Sequence, residues 1–276
     1  MRNLLLTLLI LSGLVLQGKA QELLGSSEGL VFSTEVEKAL WDEGDSNLFQ
    51  LFRAVQAKSE YSSDSWVELV EELDSKAQKS GDQLALLRQI FQKTHQRLLK
   101  KYEQHSSFNA MLSEGKYDCV SGSAALGLLL ERYGFEFDIV ETDYHVFLVV
   151  NLDGKKIVLE STLPVGGMIT APSEVQNYLI AYQPEKNAQR YSLNQTIAGP
   201  VVDYSDNSTF RIVTLRELAG LQYYNDAIVH FNKQAYGKAV DQLSKAYLLY
   251  PSDRIDGLRD LSIDLAYKSY GYDLRK

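Results

Sequence analysis

The chain has 276 residues, with 36 acidic against 28 basic side chains and a net charge of −8. That balance argues against nucleic acid or an anionic membrane surface as partner. One cysteine in the whole chain excludes a disulfide-stapled fold, because a disulfide needs two.

Residues 1–20 read as a secretory signal peptide. Arg2 precedes a largely apolar run from Leu4 to Leu16, and Gly18, Lys19 and Ala20 bring small residues to the cleavage point. The run is well short of the roughly 20 residues that span a bilayer, and no later run approaches that length. The expected product starts near Gln21, is exported to the periplasm or the extracellular space, and has no membrane span. No cysteine sits at the cleavage point for lipidation, and losing Arg2 and Lys19 takes the net charge to about −10.

The remainder divides into a larger domain over 21–212, with its core at 108–165, and a helical segment over 213–276. Residues 33–104 lack proline and carry helical periodicity in four stretches, 35–41, 47–58, 66–79 and 82–102, which read as packing helices without chemistry. From Gly115 to Pro164 the pattern becomes one helix followed by strands. Cys119 opens the helix, Ala124, Leu128 and Leu129 form its apolar face, and Gly134 stands where a C-terminal cap is expected. Strand-like runs follow at 135–140, 145–150 and 156–160. All five prolines come after Leu163, and residues 164–200 read as irregular connections and short strands of the kind that line a groove. Asn194-Gln195-Thr196 and Asn207-Ser208-Thr209 match glycosylation acceptors, a short pattern that arises readily by chance. The fold class expected is α+β.

From Leu215 onward the chain is helical again, closing with a helix over 258–270. Ala227, Ala239, Ala246 and Pro251, with Tyr236 before the second helix, resemble one tetratricopeptide repeat over about thirty-four residues. Any helical hairpin with alanines at its crossing reads the same way. A single repeat cannot bury its own face, so it should dock on the rest of the chain or on a protein partner.

Cys119 is either a small buried hydrophobe or a nucleophile. The start of a helix favours a thiolate through unpaired amides and the helix dipole. Ser121, Gly122 and Ser123 allow close approach of a substrate, and the Cys119 amide is a natural oxyanion donor. Of the four histidines, His95, His105 and His230 fall in helical stretches or just beyond one. Only His145 begins a strand that is otherwise apolar. If residues 151–154 form a four-residue loop, His145 lies opposite Glu160. If Asp153-Gly154 is a two-residue type I′ turn, Glu160 faces Phe147 and is diagonal to His145. In both registers the two share a sheet face, where a carboxylate would fix the imidazole tautomer; a one-residue bulge would separate them.

Tyr117-Asp118-Cys119, the small-residue helix after it, His145 opening a strand and Glu160-Ser161-Thr162 ending the next resemble the transglutaminase-like branch of the papain-like cysteine enzymes. The resemblance covers Gly115 to Pro164. It implies a catalytic helix packed on an antiparallel sheet, with Cys119 as nucleophile, His145 as base and Glu160 as orienting acid. The family usually has Asp where this chain has Glu160, and Phe147 stands where an aromatic often follows the histidine by two. The implied activity is hydrolysis or acyl transfer at an amide bond, a peptidase or amidase first, with a peptide, protein or cell-wall peptide as substrate. A different reading keeps the scaffold inert, with the C-terminal helices holding a protein partner. Neither reading calls for a cofactor or a metal: there is no paired-cysteine or His-Glu-x-x-His spacing and no glycine-rich phosphate loop.

Overall fold

The computed structural model describes residues 29–78, 81–182 and 209–274. The signal peptide expected over 1–20, and the two candidate glycosylation asparagines Asn194 and Asn207, lie outside the described residues. Four helices come first: α1 (Glu35–Glu43), α2 (Leu48–Ala54), α3 (Asp64–Ala77) and α4 (Gln83–Arg97). The Thr34 hydroxyl caps α1 and the Asp82 carboxylate caps α4, each accepting from backbone amides of the first turn. The helix expected over 82–102 stops at Arg97. Lys101 and Tyr102 form β1, whose backbone pairs in parallel with β2 (Lys116–Tyr117) across the short helix α5 (Phe108–Glu114). The periodicity of 82–102 does not register this exit, because the partner that competes for the backbone lies beyond the window.

α6 (Cys119–Arg132) is the central helix, apolar and buried around most of its circumference. It is followed by β3 (Glu136–Thr142), β4 (Val146–Leu152), β5 (Lys155–Leu159), β6 (Met168–Ile169), α7 (Pro172–Ala181) and β7 (Phe210–Val213). The strands form one sheet in the order β6-β5-β4-β3-β7, antiparallel throughout. The molecule is thus mixed helix and sheet, with helices before and after the sheet, as an α+β chain should be.

Within 164–200, where irregular connections were expected, the described residues contain a helix. Pro172 sits at its first position, where the missing N–H costs nothing and the fixed φ suits a helix. Its apolar side is Val175, Tyr178 and Leu179, extended by Tyr182, at i, i+3, i+4 and i+7. These residues cover one face of the sheet over Val140, Phe147, Val149 and Val158.

The opposite face belongs to the main core. Val146, Leu148, Val150 and Leu159 meet α6 there, and the same cluster continues into Phe52 and Leu69 of the N-terminal helices and Leu218 and Leu243 of the C-terminal ones. β4 is therefore buried on both sides, which explains its unbroken apolar run.

α8 (Leu215–Asn232), α9 (Tyr236–Leu249) and α10 (Asp253–Tyr270) complete the chain. A capping box of Thr214 and Glu217 starts α8 directly after β7. α8 and α9 approach so closely that a Cβ on Gly220 would lie 2.7 Å from the Tyr250 Cβ, and Ala227, Ala239 and Ala246 are fully buried. Among the described residues no helix is long and apolar enough to cross a membrane.

Candidate active site

Asp118 is the N-cap of α6. Its carboxylate accepts from the Ser121 amide at 2.7 Å and from the Ser121 hydroxyl at 2.9 Å, while the Asp118 amide donates back to that hydroxyl at 2.9 Å. This reciprocal box fixes where the helix begins and puts Cys119 at its first position, where the backbone N–H has no partner inside the helix. Asn225, from α8, donates to the other Asp118 oxygen at 3.0 Å. Asp118 is buried, and burial pushes its carboxyl up to about 6 although the bonds from Ser121, Asn225 and the Val120 amide work the other way.

Cys119 as a residue is half-buried, with its sulfur turned inward. Its thiol is pushed well above the ordinary range. Burial contributes most, followed by the negative charge of Asp118, and the Glu160 carboxylate adds to it; the Val146 amide and the amide of Cys119 favour the thiolate. The helix start alone therefore does not produce a standing thiolate here, contrary to expectation, because burial of the sulfur, and after it the Asp118 carboxylate that caps the helix, outweigh the amides.

Leu148 pairs with Leu159 and Leu152 with Lys155, so the β4–β5 hairpin uses the two-residue turn. Asp153 and Gly154 have φ of 49° and 73°, the positive values a type I′ turn requires. Carried past the strand ends, this register sets Glu160 opposite Phe147 and diagonal to His145. His145 Nε2 donates to Glu160 Oε2 at 2.5 Å.

Glu160 is 2% exposed. Its Oε1 accepts from the Thr162 amide at 2.8 Å and the Thr162 hydroxyl at 2.6 Å, and the Tyr178 hydroxyl donates to Oε2 beside His145. Burial alone would raise this carboxyl, but the bond and charge of His145, with the bonds from Thr162 and Tyr178, outweigh it and hold the group at about 2. The loop after Glu160 closes back on itself, with the Glu160 amide donating to the Gly167 carbonyl at 2.8 Å. A Cβ at position 167 would lie 2.1 Å from the Leu163 carbonyl oxygen, so this return needs glycine.

The imidazole of His145 is 17% exposed and stacks on Tyr182 with centroids 5.6 Å apart and planes 26° apart. The Thr142 amide and hydroxyl both donate to the His145 carbonyl, at 2.8 and 3.1 Å, holding the backbone in the turn before β4. With Nε2 committed to Glu160, Nδ1 is the ring nitrogen left for a second partner. The Ser123 hydroxyl donates to the Val146 carbonyl at 3.2 Å, which ties the first turn of α6 to the start of β4. Cys119 is thereby brought against the residue that follows His145.

The other histidines are placed differently. His95 is buried edge-on against Phe91, and burial lowers it to about 4 although the Glu160 charge opposes this. His105 is hydrogen-bonded with Asn225, and His230 lies 3.6 Å from Asp226 on α8. Sequence reasoning missed Tyr178 and Tyr182, whose signal was the helical spacing from Val175 to Tyr182, and Asn225, for which no local signal exists. Among the described residues no group of three or more His, Cys, Asp or Glu side chains is arranged to hold a metal ion.

A groove of about 720 Å³ lies between Phe49, Trp66, Val70, Leu128 and Arg132. Leu128 is nine residues past Cys119 on α6, about 13 Å along the helix. That groove is away from the Cys119 corner, where the buried, charged and hydrogen-bonded groups of the candidate site gather.

Fold and site together define an α+β protein in which a half-buried histidine paired with a buried glutamate lies by the N-terminus of a cysteine-bearing helix. No family model, curated protein or solved structure gives a significant match to the chain.

Proposed function

We propose that the chain is an exported, transglutaminase-like cysteine hydrolase or acyl transferase that acts on amide bonds through Cys119, His145 and Glu160. Peptidase or amidase action on a peptide, protein or cell-wall peptide is the favoured form. The observation that carries this reading is the 2.5 Å bond from His145 Nε2 to an ionised, buried Glu160, at the corner where the first turn of α6 meets β4. The order of helix and antiparallel strands supports a papain-like core, and the N-terminal twenty residues support export to the periplasm or beyond.

The raised thiol pKa shapes the mechanism. The sulfur rests protonated, so its proton leaves for His145 as sulfur attacks the carbonyl carbon. The imidazolium formed is stabilised by the Glu160 carboxylate. When the tetrahedral adduct collapses, the C–N bond breaks, the amine leaves with the proton from His145, and a thioester remains on Cys119. Water or a second amine then resolves it, His145 taking and returning the proton.

A second reading rests on the same thiol. Burial and neighbouring carboxylates that push a cysteine upward are also what an inert cysteine shows. On that reading the scaffold holds a protein partner through the repeat-like helices α8 to α10. Alkylation with iodoacetamide at pH 7, followed by mass spectrometry of Cys119, separates the two. Rapid labelling that His145→Ala slows by on the order of 10²-fold supports the enzyme. Slow labelling that the variant leaves unchanged sinks it and leaves the scaffold.

A further inference from the structure

A cysteine attack on an amide needs a second donor to the oxyanion besides the Cys119 amide. The amides nearest upstream in the sequence are poor candidates. Asn109 is buried and its Nδ2 donates to the Arg53 and Val55 carbonyls at 2.7 and 2.9 Å, while Gln104 is exposed on the turn after β1. β1 brings a different group to the site. Its register sets Tyr102 opposite Tyr117, and the Glu103 amide locks the pairing through the Tyr117 carbonyl at 2.8 Å. The two rings meet edge to face at 5.9 Å. Tyr117 is buried and leads within two residues to Cys119, so the pairing holds Tyr102, 50% exposed as a residue, alongside the start of the cysteine helix. No hydrogen bond from a described residue engages its hydroxyl. Burial, then the negative charge available at Cys119, Asp118 and Glu160, raises this phenol far above its usual range, so it keeps its proton and remains a donor throughout the working pH range.

We propose that the Tyr102 hydroxyl is the side-chain donor that, with the Cys119 amide, stabilises the oxyanion formed when the Cys119 sulfur adds to the substrate carbonyl. This assignment rests on the cysteine-enzyme reading above. As the S–C bond forms, the carbonyl π pair moves onto oxygen, where Tyr102 and the Cys119 N–H hydrogen-bond to it. The pair returns as the amine departs, and Tyr102 neither gains nor loses a proton.

The test compares two reagents on the full chain, wild type and Tyr102→Phe, with Cys119→Ala as blank. Iodoacetamide alkylates sulfur by displacement at a saturated carbon and forms no oxyanion. p-Nitrophenyl acetate acylates through a tetrahedral oxyanion and releases p-nitrophenolate. Tyr102→Phe should leave alkylation within about twofold and slow acylation on the order of 10²-fold, the loss expected for one oxyanion donor. Equal losses in both reactions would make Tyr102 a structural or thiol-tuning residue and overturn the assignment. No loss in acylation would overturn it too, as would a wild type that alkylates but is never acylated. A wild type inert to both reagents would remove the cysteine-enzyme reading itself.

Discussion

Two carboxylates are buried at the same sheet and handled in opposite ways. Glu141 on β3 is 1% exposed and accepts from Arg211 Nε at 2.8 Å, from Arg254 and from the Tyr250 hydroxyl. Glu160 after β5 is equally buried and likewise takes a tyrosine hydroxyl, but its basic partner is His145. Arginine stays protonated at every accessible pH, so the Glu141 group is a fixed clamp that fastens β3, β7 and the start of the C-terminal helix α10 together. Histidine, unlike arginine, can give up and take back a proton, so the same design around Glu160 holds a group that can act as a base. On the proposed function, the identity of the basic partner separates a structural buried pair from a reactive one.

Substitutions at each carboxylate test that contrast. The largest effect is expected at the reactive pair. Glu160→Gln keeps the shape but no longer stabilises an imidazolium, and acylation of Cys119 by p-nitrophenyl acetate should fall on the order of 10³-fold. The same variant has a stability signature. Glu160 titrates near 4.5 when unfolded and at about 2 when folded, so it stabilises the fold fully above the first value and loses that contribution as pH falls through the second. The lost contribution is about 3 kcal/mol. Urea unfolding of the wild type should show this acid slope between those values, and Glu160→Gln should lack it.

Glu141→Ala should give the reverse pattern. It leaves Arg211 and Arg254 without their carboxylate and should cost about 3 kcal/mol in urea unfolding, with the alkylation rate of the native fraction unchanged. If it slowed Cys119 chemistry as much as Glu160→Gln does, the division between clamp and reactive pair would fail. The smallest effect is expected from Tyr178→Phe, which removes one of the donors to Glu160 and leaves His145 and Thr162. Acylation should drop about tenfold, and the acid slope of stability carried by Glu160 should level off at a higher pH as its carboxyl rises without the Tyr178 bond. An unchanged pH profile would make Tyr178 a packing residue only.

Much of the site could be read in advance because its signals are local. The position of Cys119 at a helix start follows from Asp118 and Ser121 bonding within one turn. The shared face of His145 and Glu160 follows from strand parity, whichever turn closes the hairpin. Choosing between the two turns was harder: Asp153-Gly154 suits the tight one, but the flanking Leu152 and Lys155 permit either. α7 was hidden by the prolines around it, although its apolar spacing from Val175 was already helical.

What the sequence determined alone was the set of candidate groups and their local frames: a cysteine at the first position of a capped helix, and a histidine and glutamate on one face of a hairpin. Only the tertiary structure decided their chemistry. The acidity of Cys119 depends on how far burial and the Asp118 and Glu160 carboxylates outweigh two amides. Asp118 in turn is held by Asn225, 107 residues away in the chain. Tyr178 and Tyr182 come from a helix on the far face of the sheet, and Tyr102 from a strand paired across α5. Hydrogen bonding within one turn is set by neighbours in sequence, whereas desolvation and charge are summed over everything that packs nearby, and no short window contains that sum.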